Sequence, residues 1–231
     1  MAANPETFPG TVPPDPQIAP ARALRTLPEP EWDPRQFAME QIRGLIRRVF
    51  FATASLAVKQ VVFSALDSDT EVASICDQVG RALAQETAAS VAVLTRGLHV
   101  EESRGFLHYG DPTAIKSWAT RITENLWRVP EIGLRAASGD AVSGRYWLTC
   151  LAALRREFEY VVIQGPAAGI SSEAALLGQL ADGIVLVVGN ATRKATARKV
   201  KETLQASNLR ILGTVLSERR FPVPDRIYRY L

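Results

Sequence analysis

The chain is poor in the residues from which most enzyme sites are built. It has two histidines and two cysteines in 231 residues. His99 and His108 stand alone, which argues against a histidine metal centre or a catalytic triad. Cys76 and Cys150 show neither zinc-ligand nor redox spacing and read as two buried thiols of a reducing compartment. Long hydrophobic runs are missing too: the longest, around Ile184–Val188, is far too short to cross a bilayer. No charged segment followed by an apolar one opens the chain, so no signal peptide is expected. A strong charge imbalance is also lacking. Lys and Arg number 27 against 24 Asp and Glu, a net +3 that permits contact with an anionic membrane surface but does not argue for nucleic acid. What remains, 47% apolar and 22% charged residues, is the composition of a soluble globular domain, and the length suits one domain with a tail.

Residues 1–35 are dense in proline, which forbids a continuous helix or a central strand, so this segment reads as an extended or disordered arm. It is either a solvated linker or an arm that docks through Trp32. From Phe37 to about Ala54, Phe37, Ile42, Leu45, Ile46 and Val49 recur with helical spacing, and Arg43, Arg47 and Arg48 lie largely opposite. Strands and helices then alternate. Strands are expected at Val61–Ser64, Ser90–Thr95, Leu126–Pro130, Glu159–Gln164, Gly183–Gly189 (the most buried) and Arg210–Leu216. Helices are expected at Val72–Gln85, Ala114–Thr123, Gly144–Glu157, Ser172–Leu180 and Ala195–Ala206. Near-continuous Val/Ile/Leu strands mark an α/β fold with a mostly parallel sheet flanked by helices on both faces, of the P-loop NTPase type. The expected division is an arm at 1–35, a domain at 36–220 and a Tyr/Arg tail at 221–231.

The stretch Val61–Val72, VVFSALDSDTEV, has the strand–turn–helix order of a phosphate-binding loop without its phosphate-binding residues. A working loop reads G-x-x-x-x-G-K-[ST], in which glycines bring backbone N–H groups to the phosphates and a lysine reaches the terminal ones. Here the turn has no glycine, and Glu71 occupies the lysine position.

Four segments carry a family resemblance. FSALDSDTEVAS is similar to T-S-A-L-P-G-E-G-K-S-T, SVAVLTRGLH to V-L-L-I-D-A-D-L-R, and FEYVVIQGPAA to F-D-Y-V-I-I-D-T-P-P. The run from Ala181, ADGIVLVVGNATRKATARKVKETLQASNLRILGTVLSE, follows A-D-G-V-x-L-V-V…L-G-x-V-L-N almost without a gap. Over residues 37–231 the chain thus resembles the bacterial tyrosine kinases of capsule and exopolysaccharide synthesis, relatives of the MinD and ParA ATPases. The resemblance implies ATP and magnesium as cofactors, yet the residues to hold them are absent. The two loop glycines fall on Ser68 and Thr70, the lysine on Glu71 and the magnesium-binding hydroxyl on Val72. The strand aspartates fall on Thr95 and Gly97, and the Walker B aspartate on Gln164, a poor ligand for a hard cation. Phosphoryl transfer depends on positioning and on metal and lysine charge, so the resemblance implies a pseudokinase with no catalytic residue, no cofactor and no metal.

Other positions carry weaker signals. Glu40 and Arg43 stand in register with the family's E-x-x-R-x-x-R oligomerisation motif, but the third position is Ile46, with Arg47 and Arg48 just after it. A solvated ion pair and an oligomer interface fit equally well. Tyr228 and Tyr230, bracketed by Arg226 and Arg229, match a reduced version of the family's phospho-acceptor tail. Gly165 and Pro166 read as a backbone turn, and Ser171, Ser172 and Glu173 as a helix start. Asp67, Asp69 and Glu71 read as a solvated acidic turn, with a cation or a neighbouring subunit's arginine as the other options.

The expected function is a scaffold or regulatory subunit in exopolysaccharide or capsule biosynthesis and export, cytoplasmic and peripheral at the inner membrane. The resemblance implies as partner an inner-membrane chain-length regulator or an active kinase paralogue, with homo- or hetero-oligomers and no nucleic acid. The alternatives are a residual protein-tyrosine autokinase and a MinD/ParA-like accessory outside polysaccharide synthesis.

Overall fold

The computed structural model describes residues 34–51, 57–96, 114–131 and 144–217. These belong to the unit Arg35–Leu231, with Pro34 at its boundary. In chain order the elements are α1 (Pro34–Phe50), β1 (Gln60–Ala65), α2 (Ala73–Glu86), β2 (Val91–Thr95), α3 (Ile115–Trp118), β3 (Thr120–Arg121) and β4 (Leu126–Pro130). They continue as α4 (Gly144–Glu157), β5 (Tyr160–Gln164), α5 (Glu173–Leu180), β6 (Ile184–Val188), α6 (Lys194–Ala206) and β7 (Ile211–Leu216).

The strands form one seven-stranded sheet in the order β3-β4-β2-β5-β1-β6-β7, parallel except for β3 against β4. The Val-rich runs have this form because both sides of each strand are covered. Along β1, Val61, Phe63 and Ala65 pack with α1 and α2, while Val62 and Leu66 join Trp147, Leu154, Leu177 and Leu204 on the opposite face. All six residues of β1 are buried, whereas Val188 of β6 is half-exposed. The expectation that β6 is the most buried strand is therefore not met: β1 and β2 are buried along their whole length, whereas β6 adjoins the edge strand β7. Cys76 and Cys150 are buried free thiols, and burial pushes that of Cys150 up to about 11.

Two elements differ from the sequence reading. Proline opens α1, its lost N–H being harmless in the first turn. The helix thus begins at Pro34, inside the segment assigned to the arm; residues 1–33, with Trp32, lie outside the described residues. The helix expected over Ala114–Thr123 is the single turn α3, capped by Glu157, whose carboxylate accepts from the N–H groups of Ile115 (2.7 Å) and Lys116 (2.9 Å). Ala119 is then extended, and Thr120 and Arg121 pair antiparallel with Arg128 and Trp127. The β-branched residues Thr120, Ile122 and Thr123 suit that edge hairpin better than a helix.

The chain leaves β1 towards β2 on one side, and leaves β5 towards β6 on the other, with β1 and β5 adjacent. Such a reversal opens a crevice at the carboxyl ends of the strands, the usual ligand position in open α/β sheets.

Candidate functional site

The loop after β1 is stitched to its neighbours before it turns. The Leu66 N–H donates to Val187 O (3.1 Å) and the Ala168 N–H to Ala65 O (2.7 Å). Gly169 sits so close to the Leu66 carbonyl that a β-carbon there would overlap it. Asp67 then organises the turn. Its Oδ1 accepts from the backbone N–H (3.1 Å) and hydroxyl (2.6 Å) of Thr70, and its Oδ2 from the Thr192 hydroxyl (2.5 Å). Thr192 Oγ1 in turn accepts from the Gly189 N–H at 3.0 Å. These bonds, first from Thr192 and then from Thr70, hold the Asp67 carboxyl below the usual carboxylate range. Asp67 is therefore not a simple solvated turn residue: it ties the β1 loop to the β6 loop.

The sequence-flagged loop residues occupy distinct environments. Ser68 is exposed and donates to Asp69 Oδ1 at 3.0 Å. Thr70 covers Gly189, whose β-carbon, if present, would overlap Thr70 Oγ1. Glu71 is exposed and makes no ion pair among the described residues. Val72 is buried against the α1/α2 side of the core and gives α2 an N-cap with no side-chain hydrogen bond. Beside the loop lies an open cleft of about 360 Å³, bordered by Asp67, Asp69 and Thr70 and by Thr192, Arg193 and Thr196. Among the described residues no three Asp, Glu, His or Cys side chains are grouped to hold a metal ion.

Thr95 and Gln164 end β2 and β5 and so reach the same carboxyl edge as the loop. Thr95 is buried. Gln164 Oε1 accepts from the Arg96 N–H at 3.0 Å. Gly97 lies outside the described residues. Gly165 and Pro166 fasten the turn after β5: the Gly165 N–H donates to Phe63 O (2.8 Å) and the Ser64 hydroxyl to Pro166 O (2.5 Å). The Ser171 hydroxyl accepts from the Glu173 N–H at 3.2 Å as α5 begins.

Arg96, which sequence reasoning passed over, is the charge centre of this edge. Its guanidinium meets Glu173 at 3.1 Å and the buried Glu131 at 3.5 Å, and Trp147 donates its indole N–H to Glu173 at 3.0 Å. The available signal was positional: Arg96 directly follows β2, Glu131 directly follows β4 and Glu173 opens α5.

The remaining candidates lie elsewhere. On α1, Arg43 bridges Glu40 (2.5 Å) and Glu86 at the end of α2 (3.3 Å), while Arg47 is exposed. Tyr228 and Tyr230 lie outside the described residues, as do His99 and His108.

No protein-family model and no curated protein sequence matches the chain. Solved structures do match it in fold. The kinase domain of VpsO superimposes with a TM-score of 0.58 at 15% identity, covering 80% of this chain and 98% of that one. The kinase domain of the Escherichia coli tyrosine kinase ETK gives 0.56 at 12% identity, covering 81% and 79%. The cell division protein MinD of Aquifex aeolicus gives 0.53 at 14% identity, covering 75% and 73%. The likeness is one of fold: this chain has the α/β architecture shared by bacterial tyrosine kinase domains and the MinD-type P-loop proteins.

Proposed function

We propose that the chain is a non-catalytic relative of the bacterial tyrosine kinases that serves as a scaffold or regulatory subunit in exopolysaccharide or capsule assembly. The observation that carries this reading is the Asp67 loop. In a phosphate-binding loop, N–H groups and hydroxyls after the first strand point at an anion. Here the Thr70 N–H and the hydroxyls of Thr70 and Thr192 point at the chain's own carboxylate. The residues present do not fit a magnesium nucleotide. Val72 is packed in the core, Gln164 Oε1 is bonded to the Arg96 N–H, and Asp69 and Glu71 would set further negative charge before the phosphates. A kinase step needs metal and lysine charge on the transferred group; the loop after β1 carries no lysine, and among the described residues no three acidic, His or Cys side chains are grouped to hold a metal ion. The sheet, helices and packing need no nucleotide, so the fold can persist as a binding surface.

In this reading the partner is the cytoplasmic part of an inner-membrane chain-length regulator or an active kinase paralogue, and the protein sits peripherally at the membrane. No helix among the described residues is long and apolar enough to cross it. The fold likeness to MinD favours one second reading, a positioning accessory outside polysaccharide synthesis. Affinity purification of the full chain from its native host separates the two. A co-purifying two-pass polysaccharide chain-length protein supports the scaffold reading; division or flagellar proteins in its place contradict it.

A further inference from the structure

Helix α6 carries a concentration of charge that neither the core nor the crevice uses. Arg193 precedes it and Lys194, Arg198, Lys199 and Lys201 lie within it, against the single carboxylate Glu202. All five cations are exposed, and none makes an ion pair among the described residues. Only Val200 and Leu204 of the helix are buried. With 3.6 residues per turn, Lys194, Arg198 and Lys201 form one stripe along a flank of the helix. That stripe borders an open cleft of about 340 Å³ with an apolar floor of Leu66, Leu186 and Val188.

We propose that α6 docks the protein on an anionic membrane surface, with lipid phosphate groups held by Lys194, Arg198 and Lys201. The cleft suits an amphiphile, since Lys194, Arg198 and Lys201 outnumber the one carboxylate, Glu202, at its rim and hydrocarbon lines its floor. Lys199 lies on the other flank and Arg193 at the helix start, so the positive charge spreads over the outward side of α6. Such a spread meets a plane, whereas an acidic peptide in the cleft would leave Lys199 without a role. Thr214 of β7 also lines the cleft; Leu216 lies two residues on, on the same face of the sheet, and is 54% exposed. It adds an apolar contact at the same edge. Nucleic acid fits less well. Neither α6 nor the cleft lining contains an aromatic ring on which a base could stack, and the overall charge is only +3.

The inference deepens the peripheral-membrane part of the function proposed above, but it does not depend on the state of the nucleotide crevice. The test is co-sedimentation of the full chain with vesicles of phosphatidylcholine alone or mixed equally with phosphatidylglycerol. Binding is expected only to the anionic vesicles and is expected to weaken as salt rises. Replacing Lys194, Arg198 and Lys201 together with Gln should reduce it roughly tenfold or more, with the unfolding midpoint retained. Arg81→Gln on α2, an exposed cation outside the patch, should leave binding unchanged. If the triple variant does not fold, Lys201→Gln alone should still reduce binding. No binding to the anionic vesicles, equal binding to both kinds, or retained binding in the folded variant overturns the proposal. So does displacement of the protein from anionic vesicles by equimolar duplex DNA, which points to nucleic acid. A protein that ignores lipid yet co-purifies with a chain-length regulator overturns this inference and leaves the scaffold reading standing.

Discussion

At the carboxyl edge of the sheet, Asp67, Arg96, Glu131 and Glu173 are bonded to other groups of the same chain, whereas α6, which begins two residues after Thr192, holds its cations in solvent without ion pairs among the described residues. The two regions adjoin, since Arg193 borders the same cleft as Asp67. Their difference separates two uses of charge. Groups that satisfy one another internally hold loops in place and are no longer available to a ligand; groups left in solvent contribute little to the fold and remain available to a partner.

Substitutions can break that contrast, beginning with the most buried charges. Arg96→Met should cost the most, about 3 kcal/mol by urea denaturation, because it strips Glu131 and Glu173 of their guanidinium. The figure is at the low end of the usual range because the Arg96 side chain is 26% exposed. Next comes Asp67→Ala, which removes the acceptor for three donors and should cost about 1–2 kcal/mol in the same measurement. A smaller loss of about 1 kcal/mol is expected for Thr192→Val, which cuts the bridge from Asp67 to the Gly189 N–H.

The pH dependence sharpens the same point. The folded state holds the Asp67 carboxyl below its ordinary value of 3.8, so its contribution is fully present above that value. As pH falls from about 4 through the lower folded value, the unfolded chain takes up the proton more readily and this contribution is lost. Acid titration of stability should therefore show a fall below about pH 4 that is shallower in Asp67→Asn. At the other end of the scale, Lys199→Gln on α6 should change stability by less than about 0.5 kcal/mol. A larger loss would mean that α6 cations support the fold after all.

The sheet was legible because each buried strand is a run of Val, Ile or Leu, and helical spacing placed α2, α4, α5 and α6 within a residue of their bounds. The β3 edge was not: the run Ala114–Trp118 reads as the start of a longer helix, and the cap that starts α3 comes from Glu157, in a distant helix. The loop was legible as a position but not as a structure. The resemblance singles out Ser68, Thr70, Glu71 and Val72, yet the bond that ties this turn to the β6 loop joins Asp67 to a residue 125 positions away. Arg96 was hidden for the same reason, since Glu173 lies 77 positions along the chain. Local patterning reports which face of an element is buried; it cannot report which distant polar group meets which.

We infer that the loop after β1, closed on its own carboxylate, does not receive a nucleotide. The most direct test is a thermal melt of the full chain with and without millimolar Mg-ATP, since a ligand that binds only the folded state must raise its melting temperature. No shift is expected with Mg-ATP. A reproducible, magnesium-dependent rise in the melting temperature would contradict it.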